Sequence, residues 1–240
     1  MNRLTKTGIL LLMLVVPVFL FLYLRFFGEN HYTLPRFFPL VDSATGTVRM
    51  GANSNRQWYE LERDTVFHRI PAFQLLSQDS TPVSEAQTRD RIRVVNFFST
   101  NGDAGTARRM AQLARLQEVF YDQPAVLLLS HTLDPRRDTP GVLPKYAADY
   151  DPQAGKWLFL TGDSAQLASL RTNGYRLTDP AAVSTKTLDA GETIRPNDKL
   201  VLVDKSGVIR GYYDGTDKKD VDRLILEIRV LLRIDQKKKS

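Results

Sequence analysis

Few side chains in this sequence could hold a metal or run a reaction. The chain carries three histidines, four methionines and no cysteine. The missing thiol excludes disulfides, Cys-ligated zinc or iron–sulfur centres, thiolate nucleophiles and thiol–disulfide exchange. Imidazole and thioether donors suit copper. His131, at the end of an apolar run, and Met110, one helical turn beyond a glycine-containing loop, are the pair that could hold it weakly. The alternative is a strand-end histidine bonded to a neighbour and a methionine packed in the core. His68, ahead of Arg69-Ile70-Pro71, reads as a surface strand residue and His31 as a residue at headgroup level. No two histidines have the short spacing of a zinc site.

Asp134, Asp138, Asp163, Asp214 and Asp217 raise the question of a carboxylate-pair enzyme. Asp134 and Asp138 flank prolines, where turns and caps use Asp routinely, and no nucleophile or base stands near them. The expectation is therefore that the chain is not an enzyme. Asn101-Gly102-Asp103-Ala104-Gly105 offers backbone amides ahead of a helix, a setting that can bind an anion or a partner's carboxylate. The alternative is a solvated loop with Asp103 or Thr106 as N-cap.

The elements that must position these residues alternate between strand and helix patterns, which predicts an α/β domain with a central mixed sheet flanked by helices. Strands are expected at Ile92–Phe98, Ala125–Ser130 and Trp157–Leu160, and helices at Ala107–Tyr121, Val142–Tyr150 and Ala165–Asn173, the last closed by Gly174 as C-cap. Leu200–Val203 and Val208–Tyr213 flank the turn residues Asp204-Lys205-Ser206-Gly207 and predict a hairpin. A final helix capped by Thr216 or Asp217 carries Val221, Leu224, Ile225, Ile228, Leu231 and Leu232 on one face.

Several blocks of this frame resemble the Sco/SenC family. They are Asn96-Phe97-Phe98-Ser99-Thr100, Leu116-Gln117, Asp134-Pro135-Arg136-Arg137-Asp138-Thr139-Pro140, Trp157 to Asp163, Val201 to Gly207, and Arg210 to Thr216. The blocks keep the family's order and about its spacing from Phe67 to the terminal helix, and the Asp-Pro-x-Arg-Asp-Thr-Pro block is the most specific. The resemblance implies a thioredoxin-like fold and a role in copper handling for cytochrome c oxidase, with copper held by Cys-x-x-x-Cys and a distant His. At those three positions this chain has Asn101, Gly105 and Pro196. None supplies a soft donor, so the family's copper site is not expected here and no cofactor is predicted; copper enters only through the alternative His131/Met110 pair. Pro196, just before a strand, is also similar in place to the cis-proline of thioredoxins.

Outside that domain, Gly8–Leu24 is a 17-residue stretch without a charge, and Phe26 and Phe27 extend it beyond Arg25. About 20 apolar residues cover roughly the 30 Å of a bilayer core. This predicts an uncleaved transmembrane anchor over residues 1–27, since the aromatic stretch through Tyr32, Phe37 and Phe38 lacks a small-x-small cleavage site and suits a membrane-interface belt. Arg3 and Lys6 favour an inside N-terminus in the inner (cytoplasmic) membrane, which leaves the C-terminal domain in the periplasm.

Residues 28–65 are expected to be a spacer, 66–236 the domain and 237–240 a basic tail. The net charge of +6 equals the basic residues of the two ends: Arg3, Lys6, Arg25 and Lys237–Lys239. The body is neutral, so no nucleic-acid surface is expected. The expected partners are the membrane and respiratory oxidase subunits or assembly factors.

Overall fold

The computed structural model describes residues 12–23, 34–42, 47–49, 65–178 and 198–237. Two compact units divide the chain between Thr33 and Leu34. In the first, residues 12–23 form helix α1, exposed along its whole length, with Phe19 and Tyr23 stacked at 6.5 Å. It is apolar on every side, which is not the pattern of a helix lying on a soluble core. Among the described residues no helix is long and apolar enough to cross a membrane.

The second unit is built on a seven-stranded sheet: β1 (Gln74–Ser77), β2 (Pro82–Ser84), β3 (Ile92–Phe98), β4 (Val126–Thr132), β5 (Trp157–Thr161), β6 (Lys199–Val203) and β7 (Ile209–Asp214). In space the order is β2-β1-β5-β4-β3-β6-β7. The central β3–β4 and β4–β5 pairs are parallel and the flanking pairs antiparallel. Every residue of β3 and β4 is buried, the polar Arg93, Asn96, Ser130, His131 and Thr132 included, because these central strands are covered on both faces.

Side-chain alternation divides the core in two. On one face Val94, Phe98, Leu128 and Phe159 meet helices α3 (Ala104–Val119), α4 (Leu143–Ala148) and α6 (Lys218–Lys237). On the other, Val95, Phe97, Leu127 and Leu129 meet α5 (Ser164–Ser169), the π-helical turn Leu170–Gly174 that continues it, and the segment Ile70–Leu75. The short helix α2 (Glu85–Thr88) begins in a capping box, with Ser84 and Gln87 exchanging backbone and side-chain bonds.

The expected strands and helices are present with shifted ends, and the sheet gains β1 and β2. Gly207, at φ +84°, closes the β6–β7 turn, and the Asp204 carboxylate accepts from the amides of Ser206 and Val208. Gly174 is not a left-handed cap: a Cβ there would sit 3.2 Å from Pro71 Cδ and 3.3 Å from Leu170 Cδ2, so glycine serves close packing.

A larger correction concerns residues 34–42, expected in the spacer and its membrane-interface belt. Leu34 is buried in the core, and Phe37 and Phe38 pack edge-on to Tyr212 at 5.7 and 6.4 Å. The Arg210 guanidinium donates to the carbonyls of Leu34 and Pro35, and the Phe37 amide to the Ile209 carbonyl. The domain therefore starts no later than Leu34, because this segment covers the outer end of the sheet.

Candidate functional site

Strand β3 delivers its C-terminal end to the loop that starts α3, where the resemblance implies metal ligands. Asn101, Gly102, Asp103 and Ala104 are exposed and Gly105 is half-buried. Asp103 is the N-cap, and its carboxylate accepts from the Thr106 amide at 3.0 Å. The amides of Thr100, Asn101 and Gly102 are also engaged, by Asp138 Oδ2 at 3.3 Å, Ser99 Oγ at 3.3 Å and the Ser99 carbonyl at 2.9 Å. Of the two readings of this loop, the geometry has the N-cap: Asp103 caps α3, and the amides of Asn101 and Gly102 already have acceptors within the loop.

Asp138 ties this loop to the next one. Fully buried, its carboxylate accepts from the hydroxyl of Thr100 at 2.5 Å and from that of Thr132 at the end of β4. Asp134, four residues earlier, pairs with Arg137 at 3.5 Å, and its carbonyl accepts from the Asp138 amide. Beside this loop opens a cleft of about 500 Å³ lined by Phe97, Pro135, Arg136, Leu167 and Arg171 among others. No sequence signal pointed to that cleft, since its walls come from three separate segments.

On the far side of the α3 loop, Arg109 is buried and donates to Asp198 Oδ1 at 2.7 Å and to the Phe97 carbonyl at 3.1 Å. Burial pushes its guanidinium below the ordinary value, while Asp198 pulls the other way. A charged residue on the apolar stripe with Leu113 and Leu116 was a signal available in the sequence.

The alternative copper donors are not brought together. Met110 packs on the α3 face, where the Asn96 side-chain amide donates to its sulfur at 3.5 Å. His131 lies on the opposite face of the sheet, stacked on Phe97 at 5.1 Å and hydrogen-bonded to Tyr175 Oη at 3.2 Å. Adjacent strand positions point to opposite faces, which separates the two donors and leaves a core methionine and a hydrogen-bonded strand-end histidine, the other of the two readings made from the sequence. Burial pushes the His131 imidazole down to about 3, so it is neutral at pH 7. His68 bonds the Gly174 carbonyl at 2.9 Å. Among the described residues no three His, Asp or Glu side chains form a group that could hold a metal ion. Pro196 and His31 lie outside the described residues. Among the described residues the imidazole of His131 and the thioether of Met110 lie on opposite faces of the sheet, so these two soft donors do not fit a shared copper site.

Comparison with known proteins places this arrangement in context. The SCO1 protein homolog of Bacillus subtilis (strain 168) is 24% identical over 168 residues, covering 70% of this chain and 84% of that protein. Among solved structures, BsSco, a member of the Sco family of cytochrome c oxidase assembly proteins with a disulfide switch, matches with a TM-score of 0.56 at 22% identity, covering 68% of this chain and 93% of its own. Copper-bound ScoI of Bradyrhizobium japonicum matches with a TM-score of 0.52 at 19% identity, covering 68% and 99%. These likenesses show the thioredoxin-like fold. The SCO1/SenC family model matches residues 63–233, most of the described domain, and the chain belongs to that family.

Proposed function

We propose that this chain is a membrane-anchored SCO1/SenC protein without copper or redox chemistry, a non-enzymatic accessory or scaffold in the assembly of a respiratory cytochrome oxidase. One observation carries the reading. The family model matches residues 63–233, while the chain has no cysteine, and Asn101, Gly105 and Pro196 stand where the resemblance of the sequence blocks puts the ligands. Function resides in the site and not in the fold, so retention of the frame points to its surface as the working part. The loop Asn101–Gly105, exposed from Asn101 to Ala104, is the proposed partner contact. The placement is the inner membrane, N-terminus inside and domain in the periplasm. The all-round apolar character of α1, within the uncharged run Gly8–Leu24, supports the anchor.

Two measurements test this. Anaerobic Cu(I) titration of the full-length protein in detergent against a chromophoric chelator is expected to show no stoichiometric binding; sub-micromolar affinity would overturn the metal-silent part. Crosslinking in native membranes is expected to recover oxidase subunits or copper-assembly factors. Enrichment of an unrelated envelope complex in their place would overturn the assembly role.

A further inference from the structure

The extended pieces that open the domain have one side committed to the fold and one side left over. Residues 34–42, 47–49 and 65–70 are joined by antiparallel bridges at Pro39↔Phe67 and Val41↔Val48, and the Leu40 amide donates to the Val66 carbonyl. Extended chain alternates its side chains, yet Phe37 and Phe38 both reach Tyr212. Phe38, at φ +59°, breaks the alternation there, in a backbone state that is strained for a bulky residue. Beyond the break, bridged partners share a face, as do residues two apart, which brings Pro39, Val41, Val48 and Phe67 together. Val41 is 53% and Val48 42% exposed; Pro39 is exposed and Phe67 half-buried.

Cations border this apolar face. The Arg36 guanidinium lies 5.6 Å from the centroid of the Phe67 ring, Arg69 is two residues beyond Phe67, and Arg49 follows Val48; all three arginines are exposed. Against them the described residues of this ribbon hold one carboxylate, Asp42, while His68 is turned to the Gly174 carbonyl. Exposed valines and a proline with arginines at their edge suit a surface that is apolar within and anionic at its boundary, as a bilayer of acidic phospholipids is. Chain length points the same way. Residues 24–33 separate α1 from Leu34, and a connection of that length extends at most about 40 Å. A membrane-anchored α1 therefore keeps this face within reach of the headgroups.

We propose that the face of Pro39, Val41, Val48 and Phe67, with Arg36, Arg49 and Arg69 around it, is a second membrane contact that docks the domain on an anionic bilayer. So small a face binds weakly by itself, and the tether makes it effective by raising the local concentration of lipid. The inference rests on the anchored reading of α1 above, and the experiment separates the two.

The chain contains no cysteine, so one introduced thiol carries a label without competition. V41C, V48C and, as control, L226C on α6, where Leu226 is 60% exposed, are labelled with an environment-sensitive fluorophore in the full-length protein. Each is reconstituted in phosphatidylcholine vesicles with about one-third phosphatidylglycerol and a lipid spin-labelled near its headgroup. Labels at 41 and 48 are expected to be quenched at least about twofold more than the label at 226. The excess should fall by about half or more in R49Q/R69Q, and likewise in about 0.5 M KCl, where charges are screened within about 5 Å. Equal quenching at the three positions would overturn the inference, as would an excess indifferent to the arginines, to salt and to phosphatidylglycerol. Alkaline extraction of the same vesicles reads the anchor: protein retained without excess quenching overturns the contact alone, whereas protein released overturns the anchor and the contact with it. Shielding of both labels in native membranes but not in lipid vesicles would assign the face to a protein partner and also overturn the proposal. Circular dichroism reads folding, and the salt series on the parent chain carries the charge test whether or not R49Q/R69Q folds.

Discussion

Asp138 is the group whose removal should matter most outside the apolar core, and the size of the effect follows from its partners. Asp138→Ala strips the acceptor from the Thr100 hydroxyl and amide and from the Thr132 hydroxyl, at a site with no exposure to water. Each hydrogen bond to a charged acceptor contributes about 1.5–3 kcal/mol, but the three are not additive, and the desolvation cost of the carboxylate disappears with it. A net loss of about 3–4 kcal/mol is expected. Asp138→Asn, which keeps the shape and one acceptor oxygen, should lose about half as much. Asp134→Ala in the same loop is the control. Its pair with Arg137 is 43–57% exposed and should contribute under about 1 kcal/mol. Urea unfolding of the full-length protein in detergent at pH 7, followed by tryptophan fluorescence, measures all three. If Asp138→Ala costs no more than Asp134→Ala, then Asp138 does not hold the two loops together and the account of the site is wrong.

Other positions give equally direct tests. His131 has a folded-state value of about 3 against an ordinary 6.5, so below pH 6.5 the unfolded chain takes up a proton that the folded chain refuses. Stability should fall as pH drops from 6.5 toward 3, by up to about 1.4 kcal/mol per pH unit from this group; urea melts of His131→Phe at pH 7 and pH 5 should show a shallower loss than wild type, and an unchanged slope would sink the assignment. Gly215→Ala places a Cβ against the immobile Arg109 stem and Leu200, and should cost about 2 kcal/mol in the same melts. Leu224→Ala, fully buried on α6, should cost about 2–5 kcal/mol, while Leu226→Ala, 60% exposed on the same helix, should be near neutral.

The parts of the fold legible in the sequence are those whose burial is complete or strictly periodic. β3 and β4 are rich in apolar residues, Val94, Val95, Phe97 and Phe98 in one and Val126 to Leu129 in the other, and α6 places Val221, Leu224, Ile228 and Leu231 on one stripe. β1 and β2 are four and three residues long, too short for periodicity to register, and they exist because β1 pairs with β5 far along the chain. Phe37 and Phe38 were legible as apolar but not as to their destination. Aromatic side chains beside an apolar helix suit a membrane interface as well as a sheet edge, and only contact with Tyr212 decides. The substituted ligand positions were readable by residue type alone. The groups that hold the site in shape were not: Asp138 reads as a turn aspartate until Thr100 and Thr132 are seen to converge on it, and Arg109 finds Asp198 across 89 residues.

That last difference bears on what holds the domain together where the family resemblance implies metal ligands. A loop held mainly by a bound ion would lose its conformation with the ion, as metal binding and folding share one free energy. Here the loop is moored at both ends by groups other than the substituted ligand residues: Thr100 to Asp138 on the side of β4, and the first turns of α3 to Asp198 through Arg109. Substitution at positions 101 and 105 therefore leaves both moorings intact. Stability of the domain is consequently no evidence for a metal.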